Sequence, residues 1–219
     1  EENAAKSVLV TAPVSKERIA EISPGFVGHT EYLREADGAD MVTMVLTGES
    51  MCVVPVTRHI PLGDVTKHIN EEYLFKTLVQ VVDNRELITG KRDPKIAVAA
   101  LNPHAGEGGK IGTEEKEIIM PAIERAKKVY PEIEGPVPAD VVFYKAVKKE
   151  YDIVVSMYHD QCLAPFKMLD FDSGVNVTLG LGYVRTSPDH GTAFDIAGKG
   201  IANPRSMIEA IKLAVRAVT

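Results

Sequence analysis

The sequence predicts an α/β fold built on a mainly parallel sheet, and three observations carry that reading. Continuous apolar runs of the kind buried on both faces recur as "KIAVAAL", "DIVVSM" and "GVNVTLGL". Segments with apolar residues at helical spacing lie between such runs. Strands and helices alternate along the chain instead of segregating, as βαβ units do.

Each element has its own warrant. "SVLVT" (Ser7 to Thr11) reads as a short buried strand, and "SKERIAEI" after it as a helix that "SPG" stops. "HTEYLREADG" reads as a helix with Thr30 as N-cap and Gly38 just past its end. "MVTMVL" and "MCVVPV" flank "TGES" and suggest an antiparallel hairpin, with Pro55 marking a strand that is an edge or is ending. Asn70 caps a helix whose buried face is Leu74, Leu78, Val81 and Val82. Thr113 opens another, with Glu114, Glu115 and Glu117 at its positive first turn and Ile118, Ile119, Ala122, Ile123 and Ala126 as its buried stripe. Ser206 caps a last helix with Ile208, Ile211, Val215 and Val218 along one side.

The bulk numbers exclude more than they assert. A chain of 219 residues, 45% hydrophobic, holds one or two domains. A net charge of −6 argues against a nucleic-acid partner, although a local basic cluster can still take an anionic small molecule. The two cysteines, Cys52 and Cys162, form no CxxC pattern, which suits a reducing cytoplasm. No apolar run approaches the roughly 20 residues of a membrane span, and no signal-peptide pattern opens the chain. The first residue is Glu1 and not Met, so the expectation is a piece of something longer.

Three strand-like runs end in histidine: "MCVVPVTRH" in His59, "IAVAALNPH" in His104 and "DIVVSMYH" in His159. Carboxyl ends of strands are where open α/β sheets build ligand sites. Any one of these histidines is more simply a polar loop residue. Their recurrence raises a three-histidine site for a divalent metal to an equal alternative. "NPHAGEGGKIGTEE" is a glycine-rich turn before a helix, either a plain tight turn or a phosphate cradle. Neither a Walker A pattern nor a strand-linked GxGxxG is present. Lys167, Arg185 and Asn176 suit anion binding, or else are two solvated charges and a strand-edge amide.

Seven stretches then occur in order: "GHTEYL", "RHIPL", "LNPHAGEGG", "GPVPAD", "MYHDQ", "GVNVTLGL" and "VRTSPDHGTAFDIAGKG". Together they resemble the 4-hydroxythreonine-4-phosphate dehydrogenase family, including the 4-phosphoerythronate and 4-phosphothreonate dehydrogenases. The resemblance implies an isocitrate/isopropylmalate dehydrogenase-like two-domain α/β/α fold whose first domain is incomplete here, because the family's N-terminal part is not in this chain. It assigns 1–21 and 156–219 to the first, cofactor-side domain and 22–155 to the second, which carries the metal ligands and the dimer contacts.

The same resemblance implies the roles. His59, His104 and His159 match metal ligands, with His159 supplied from the opposite subunit of a homodimer, and the ion expected is Zn, Mg, Co, Ni or Mn. His29, Thr30, Lys167, Asn176 and Arg185 match substrate contacts. Lys167, Asp140 and Asp160 match catalytic positions, and His190, Gly191 and Asp195 a loop for NAD or NADP. The implied protein is a cytoplasmic oxidoreductase of pyridoxine biosynthesis. It oxidises and decarboxylates a phosphorylated four-carbon hydroxy acid, with no nucleic acid or membrane as partner. Alternatives are the sugar-acid dehydrogenases or an inactive metal-binding fragment. Cys162 departs from the family's usual Gly and Gly182 from its frequent Pro, and Cys162 is placed to crowd the His159 segment or to bind metal itself.

Overall fold

A computed structural model describes residues 8–218. Its strands in chain order are β1 (Val8–Val10), β2 (Thr43–Thr47), β3 (Cys52–Pro55), β4 (Ile96–Ala99), β5 (Ile133–Val137), β6 (Ile153–Ser156), β7 (Val175–Leu179) and β8 (Val184–Pro188). The helices are α1 (Lys16–Ala20), α2 (His29–Asp37), α3 (Val65–His68), α4 (Glu71–Asp83), α5 (Arg85–Thr89), α6 (Met120–Lys127), α7 (Ala139–Val147), α8 (His159–Asp170) and α9 (Arg205–Arg216). Among the described residues no helix is long and apolar enough to cross a membrane. Ser7, the expected start of the first strand, lies outside them.

The chain forms two compact units, one from residues up to Leu46 and from Phe171 onward, the other from Thr47–Asp170. The division expected from the resemblance places 22–46 and 156–170 the other way. Two tethers account for the observed grouping. Asp37 at the end of α2 accepts from Gly182 N (2.9 Å) in the loop between β7 and β8. α8 packs against β3 and β6. A proline at 182 would lack the N–H that reaches Asp37.

In the first unit the strand order is β1-β8-β7-β2, with β1 parallel and β7 antiparallel to β8. α9 covers β1, β8 and β7 through Ala210, Leu213 and Ala214. That differs from the expected stripe: Ile208, Ile211 and Val215 are roughly half exposed. Both faces of this helix carry apolar residues, and the small alanines allow the closer approach to the sheet. Ser206 lies inside the helix. Its hydroxyl donates to Gly174 O (2.5 Å) and accepts from Asp189 N (3.0 Å).

The second unit orders its strands β3-β6-β4-β5, all parallel. β3, β4 and β6 are fully buried along their length, as continuous apolar runs require. Pro55 is the last residue of β3, where a missing donor costs least. Asn70 caps α4 by accepting from Tyr73 N (2.9 Å), and Leu74, Leu78, Val81 and Val82 are buried as the spacing predicts. The "TGES" turn closes with Gly48 N donating to Met51 O (3.0 Å). Beneath it the buried Asp170 carboxylate accepts from Glu49 N (3.0 Å), Ser50 N (3.0 Å) and Met51 N (3.3 Å). Gly48 is required there, because a Cβ would stand 2.4 Å from Asp170 Cγ.

Replacing Asp170 by Ala strands those backbone donors. Unsatisfied buried donors cost roughly 1–3 kcal/mol each, so urea unfolding should show a loss of about 3 kcal/mol or more. A loss under about 1 kcal/mol would show that water replaces the carboxylate.

Candidate functional site

β3, β6 and β4 lie side by side and parallel, so the segments that follow them leave one edge of the sheet. Those segments carry His59, His159 and His104. Side chains and backbone stitch the strand ends together. Val56 N donates to Ser156 O (2.8 Å), and Thr57 reaches Met157 O through its N–H (3.1 Å) and its hydroxyl (2.7 Å). The buried Gln161 accepts from Met157 N (2.7 Å) and donates to Ala100 O (2.7 Å), tying the ends of β6 and β4.

The result brings His59 and His159 together, with ring centroids 5.5 Å apart. They line a cavity of about 200 Å³ with Arg58, Tyr158, Asp160 and Val65 among its walls. His159 opens α8, so the His-Asp pair sits at a helix start and not in a loop. Asp160 Oδ1 lies 2.6 Å from His159 Nδ1. A carboxylate only accepts, so in the neutral imidazole the proton sits on Nδ1 and Nε2 is the nitrogen with the lone pair.

His104 repeats that arrangement. Its Nδ1 lies 2.8 Å from Glu107 Oε1. The Glu107 carboxylate, by hydrogen bond and by charge, holds this imidazole above its ordinary value. Slight desolvation of this exposed ring opposes it, and the charge of the exposed Asp140 at the start of α7 adds to it. A carboxylate on the far ring nitrogen is the usual support of a histidine ligand. His104 and His159 thus share one arrangement, a carboxylate at Nδ1. Among the described residues of one chain, no three candidate ligands gather at a point.

The His104 segment follows an unusual path. His104, Ala105, Gly106, Glu107 and Gly108 have φ of 52, 53, 75, 42 and 69°. L-residues other than glycine pay about 1–2 kcal/mol each in that left-handed conformation. Both cysteines are buried, burial pushes both thiols up to about 12, and Cys162 Sγ turns to His159 O (3.6 Å) inside the helix. His68 is exposed, with Nδ1 2.8 Å from Asp64 O. Lys167 lies on α8, half-buried.

The first unit holds the other predicted residues. Arg185 is only 4% exposed, and its guanidinium donates to Thr11 Oγ1 (3.2 and 2.7 Å) and Thr178 Oγ1 (3.2 Å). Burial among neutral hydroxyls lowers its pKa, while Tyr183 and Glu31 partly restore it. Asn176 is two residues from Thr178 on β7, and Thr178 pairs with Arg185, so their side chains share one face of the sheet. Asn176 Oδ1 is buried with no hydrogen-bond partner among the described residues. A buried cation on neutral partners and an orphaned buried acceptor are the marks of a polar ligand's seat. His29 opens α2 beside Thr30, and burial first, then the Arg185 charge, lowers its pKa. His190 and Gly191 lie on an exposed loop, where His190 Nδ1 is 2.9 Å from Gly191 O, and the exposed Asp195 lies in the 3-10 turn Phe194–Ile196 that follows.

The side chains that support these histidines, Gln161 and Glu107, lie inside the stretches "MYHDQ" and "LNPHAGEGG", yet no local pattern sets them apart from their neighbours there.

Comparisons with known proteins agree on one family. Residues 2–214 match the model of the pyridoxal phosphate biosynthetic protein PdxA. The 4-hydroxythreonine-4-phosphate dehydrogenase of Ruegeria sp. (strain TM1040) is 48% identical over 210 residues, covering 95% of this chain and 64% of its own length. The crystal structure of the same-named enzyme from Klebsiella pneumoniae superposes with a TM-score of 0.84 at 39% identity, covering 97% of this chain and 64% of that one. An isocitrate dehydrogenase from Methylococcus capsulatus shares the fold alone, at TM-score 0.58 and 17% identity over 95% of this chain and 67% of that one. The chain thus spans 64% of the length of each of the two 4-hydroxythreonine-4-phosphate dehydrogenases.

The His29–Arg185 coupling has a testable sign. His29 titrates below the ordinary value of about 6.5, so the stability it contributes is present above pH ~6.5 and is lost as pH falls through its folded value. Arg185→Gln should raise the His29 midpoint read by NMR, without restoring it fully, because burial is the larger cause. An unmoved midpoint would separate the two residues.

Proposed function

This chain belongs to the family of the pyridoxal phosphate biosynthetic protein PdxA, and on that premise we propose that it carries the metal and anion sites of a 4-hydroxythreonine-4-phosphate dehydrogenase. The single observation that carries the reading is the His59–His159 pair at adjacent parallel strand ends, with a carboxylate on the outer nitrogen of His159 and of His104.

The reaction takes a hydride and a proton from the secondary alcohol of a phosphorylated four-carbon hydroxy acid, and the 3-oxo acid formed then loses carbon dioxide. A divalent ion (Zn, Mg, Co, Ni or Mn) held by His59, His104 and His159 supplies positive charge that favours the deprotonated hydroxyl, and NAD or NADP supplies the hydride acceptor. Asp160 and Glu107 fix the tautomers of their histidines. Arg185 offers a desolvated cation to an anionic group, Asn176 Oδ1 accepts from a substrate hydroxyl or amine, and Thr30 and His29 complete that wall. Lys167 holds positive charge for the carboxylate or takes part in proton transfer with Asp140 and Asp160. The exposed segment with His190, Gly191 and Asp195 is open to the nucleotide.

The same chemistry serves 4-phosphoerythronate and 4-phosphothreonate. The span of 64% of the Ruegeria enzyme's length favours a second reading for this chain alone, an inactive polypeptide that keeps the binding sites. Turnover of 4-hydroxythreonine 4-phosphate with NAD(P) and Co²⁺ separates it from the first.

Site assembly across a homodimer follows the same reading, with a changed partition. The resemblance sets His159 against His59 and His104, whereas the structure pairs His59 with His159 in one chain. We therefore assign His104 to the second copy. Mixed His104→Ala and His159→Ala subunits should regain Co²⁺ binding, because one intact His59–His159 pair meets one intact His104. Mixed His59→Ala and His159→Ala subunits should not. Recovery in the second mixture, with subunit exchange shown, would restore the other partition.

A further inference from the structure

The loop that carries His104 rests on a buried carboxylate that has no role in the sites above. Glu115 is 2% exposed, although it lies in the first turn of a helical segment. Its Oε1 accepts from Leu101 N (2.9 Å) and Asn102 N (2.7 Å), the two residues before the turn at Pro103. Its Oε2 accepts from Asn102 Nδ2 (3.0 Å), which also reaches Glu114 Oε2 (2.7 Å). The left-handed run then starts two residues on, at His104.

The glycines of the loop are shaped around the same carboxylate. A Cβ on Gly106 would stand 2.7 Å from Glu115 Oε2 and 3.1 Å from Gly112 O. A Cβ on Gly112 would stand 2.4 Å from Asn102 Nδ2. The loop closes with Ile111 N donating to Gly106 O (3.0 Å), and Lys116 Nζ donates to Gly108 O. Glu115 points back at the loop because it opens a π-helical turn, Glu115–Ile119, ahead of α6. Pro121 has no N–H to give to the carbonyl four residues earlier, which lets that turn widen.

We propose that Glu115 is the positioning residue of His104: its buried carboxylate clamps Leu101 and Asn102 and thereby sets the left-handed path that presents the imidazole. This rests on the reading of His104 as a metal ligand. Glu115 touches neither metal nor substrate and acts only through the loop.

The test uses Glu115→Gln in the full chain, with Asn102→Ala as a second variant that removes a donor and leaves the charge, and His104→Ala as reference. Amide hydrogen exchange over 101–109 reports the clamp, and Co²⁺ titration followed by its visible absorption reports the ligand set. The expected result is faster exchange confined to the loop, a Co²⁺ affinity lower by about 10–100-fold, and a spectrum shifted toward that of His104→Ala. Asn102→Ala should move both readouts in the same direction by less. The proposal is overturned if both variants leave loop exchange unchanged. It is also overturned if they speed exchange yet leave Co²⁺ affinity unchanged while His104→Ala lowers it. Unchanged Co²⁺ affinity in His104→Ala itself would instead overturn the metal reading, and the proposal with it.

Discussion

Parallel strands release their chains at one edge of a sheet, and here that edge is held by a short chain of buried hydrogen bonds from Thr57 through Met157 and Gln161 to Ala100. The His59–His159 half of the candidate metal site depends on this stitching. It fixes the ends of β3, β6 and β4 relative to one another, and so places the segments that bear His59, His159 and His104. In a sheet of this kind neighbouring strands run about 4.8 Å apart, and two imidazoles leaving adjacent strands fall naturally near the observed 5.5 Å. Gln161 is well suited to the task, since its amide supplies one acceptor and one donor to two different strand ends.

The cost of the arrangement is concentrated at residues 104–108. His104, Ala105 and Glu107 are held left-handed at about 1–2 kcal/mol each. Hydrogen bonds to a charged acceptor contribute about 1.5–3 kcal/mol apiece, and Glu115 receives three. The two magnitudes are of the same order, so a buried glutamate in the next helical segment is enough to keep the loop in place. Backbone strain near a ligand residue, supported by a neighbour that takes no part in binding, is a common way of fixing a side chain.

Much of this was legible in the sequence, and the reasons differ by residue. Continuous apolar runs showed β4, β6 and β7 because strands buried on both faces need them. Asn70 and the Leu74–Val82 face showed α4 because cap and periodicity agree. Histidine after three such runs pointed to one sheet edge before any coordinates did. The stripe of α9 was misjudged because Ile208, Ile211 and Val215 outweigh small alanines by hydropathy, while packing against a sheet prefers the alanines. α8 was invisible as a helix, since Pro165 interrupts its pattern and its buried residues are Gln161, Cys162, Leu163, Phe166 and Asp170. Glu115 reads as one of three acids at a helix's positive first turn. Nothing local says that a carboxylate turns inward when its partners, Leu101 and Asn102, lie in an earlier loop.

The central claim is that His59 and His159 of one copy, at adjacent strand ends, hold one divalent ion together with His104 of a second copy. X-ray absorption at the cobalt edge, on the Co²⁺-loaded chain, tests it most directly, because the multiple-scattering pattern of imidazole counts these ligands. The account predicts three imidazole nitrogens, falling to two in His104→Ala. A shell of oxygen ligands alone, or an imidazole count unchanged by that substitution, would contradict it.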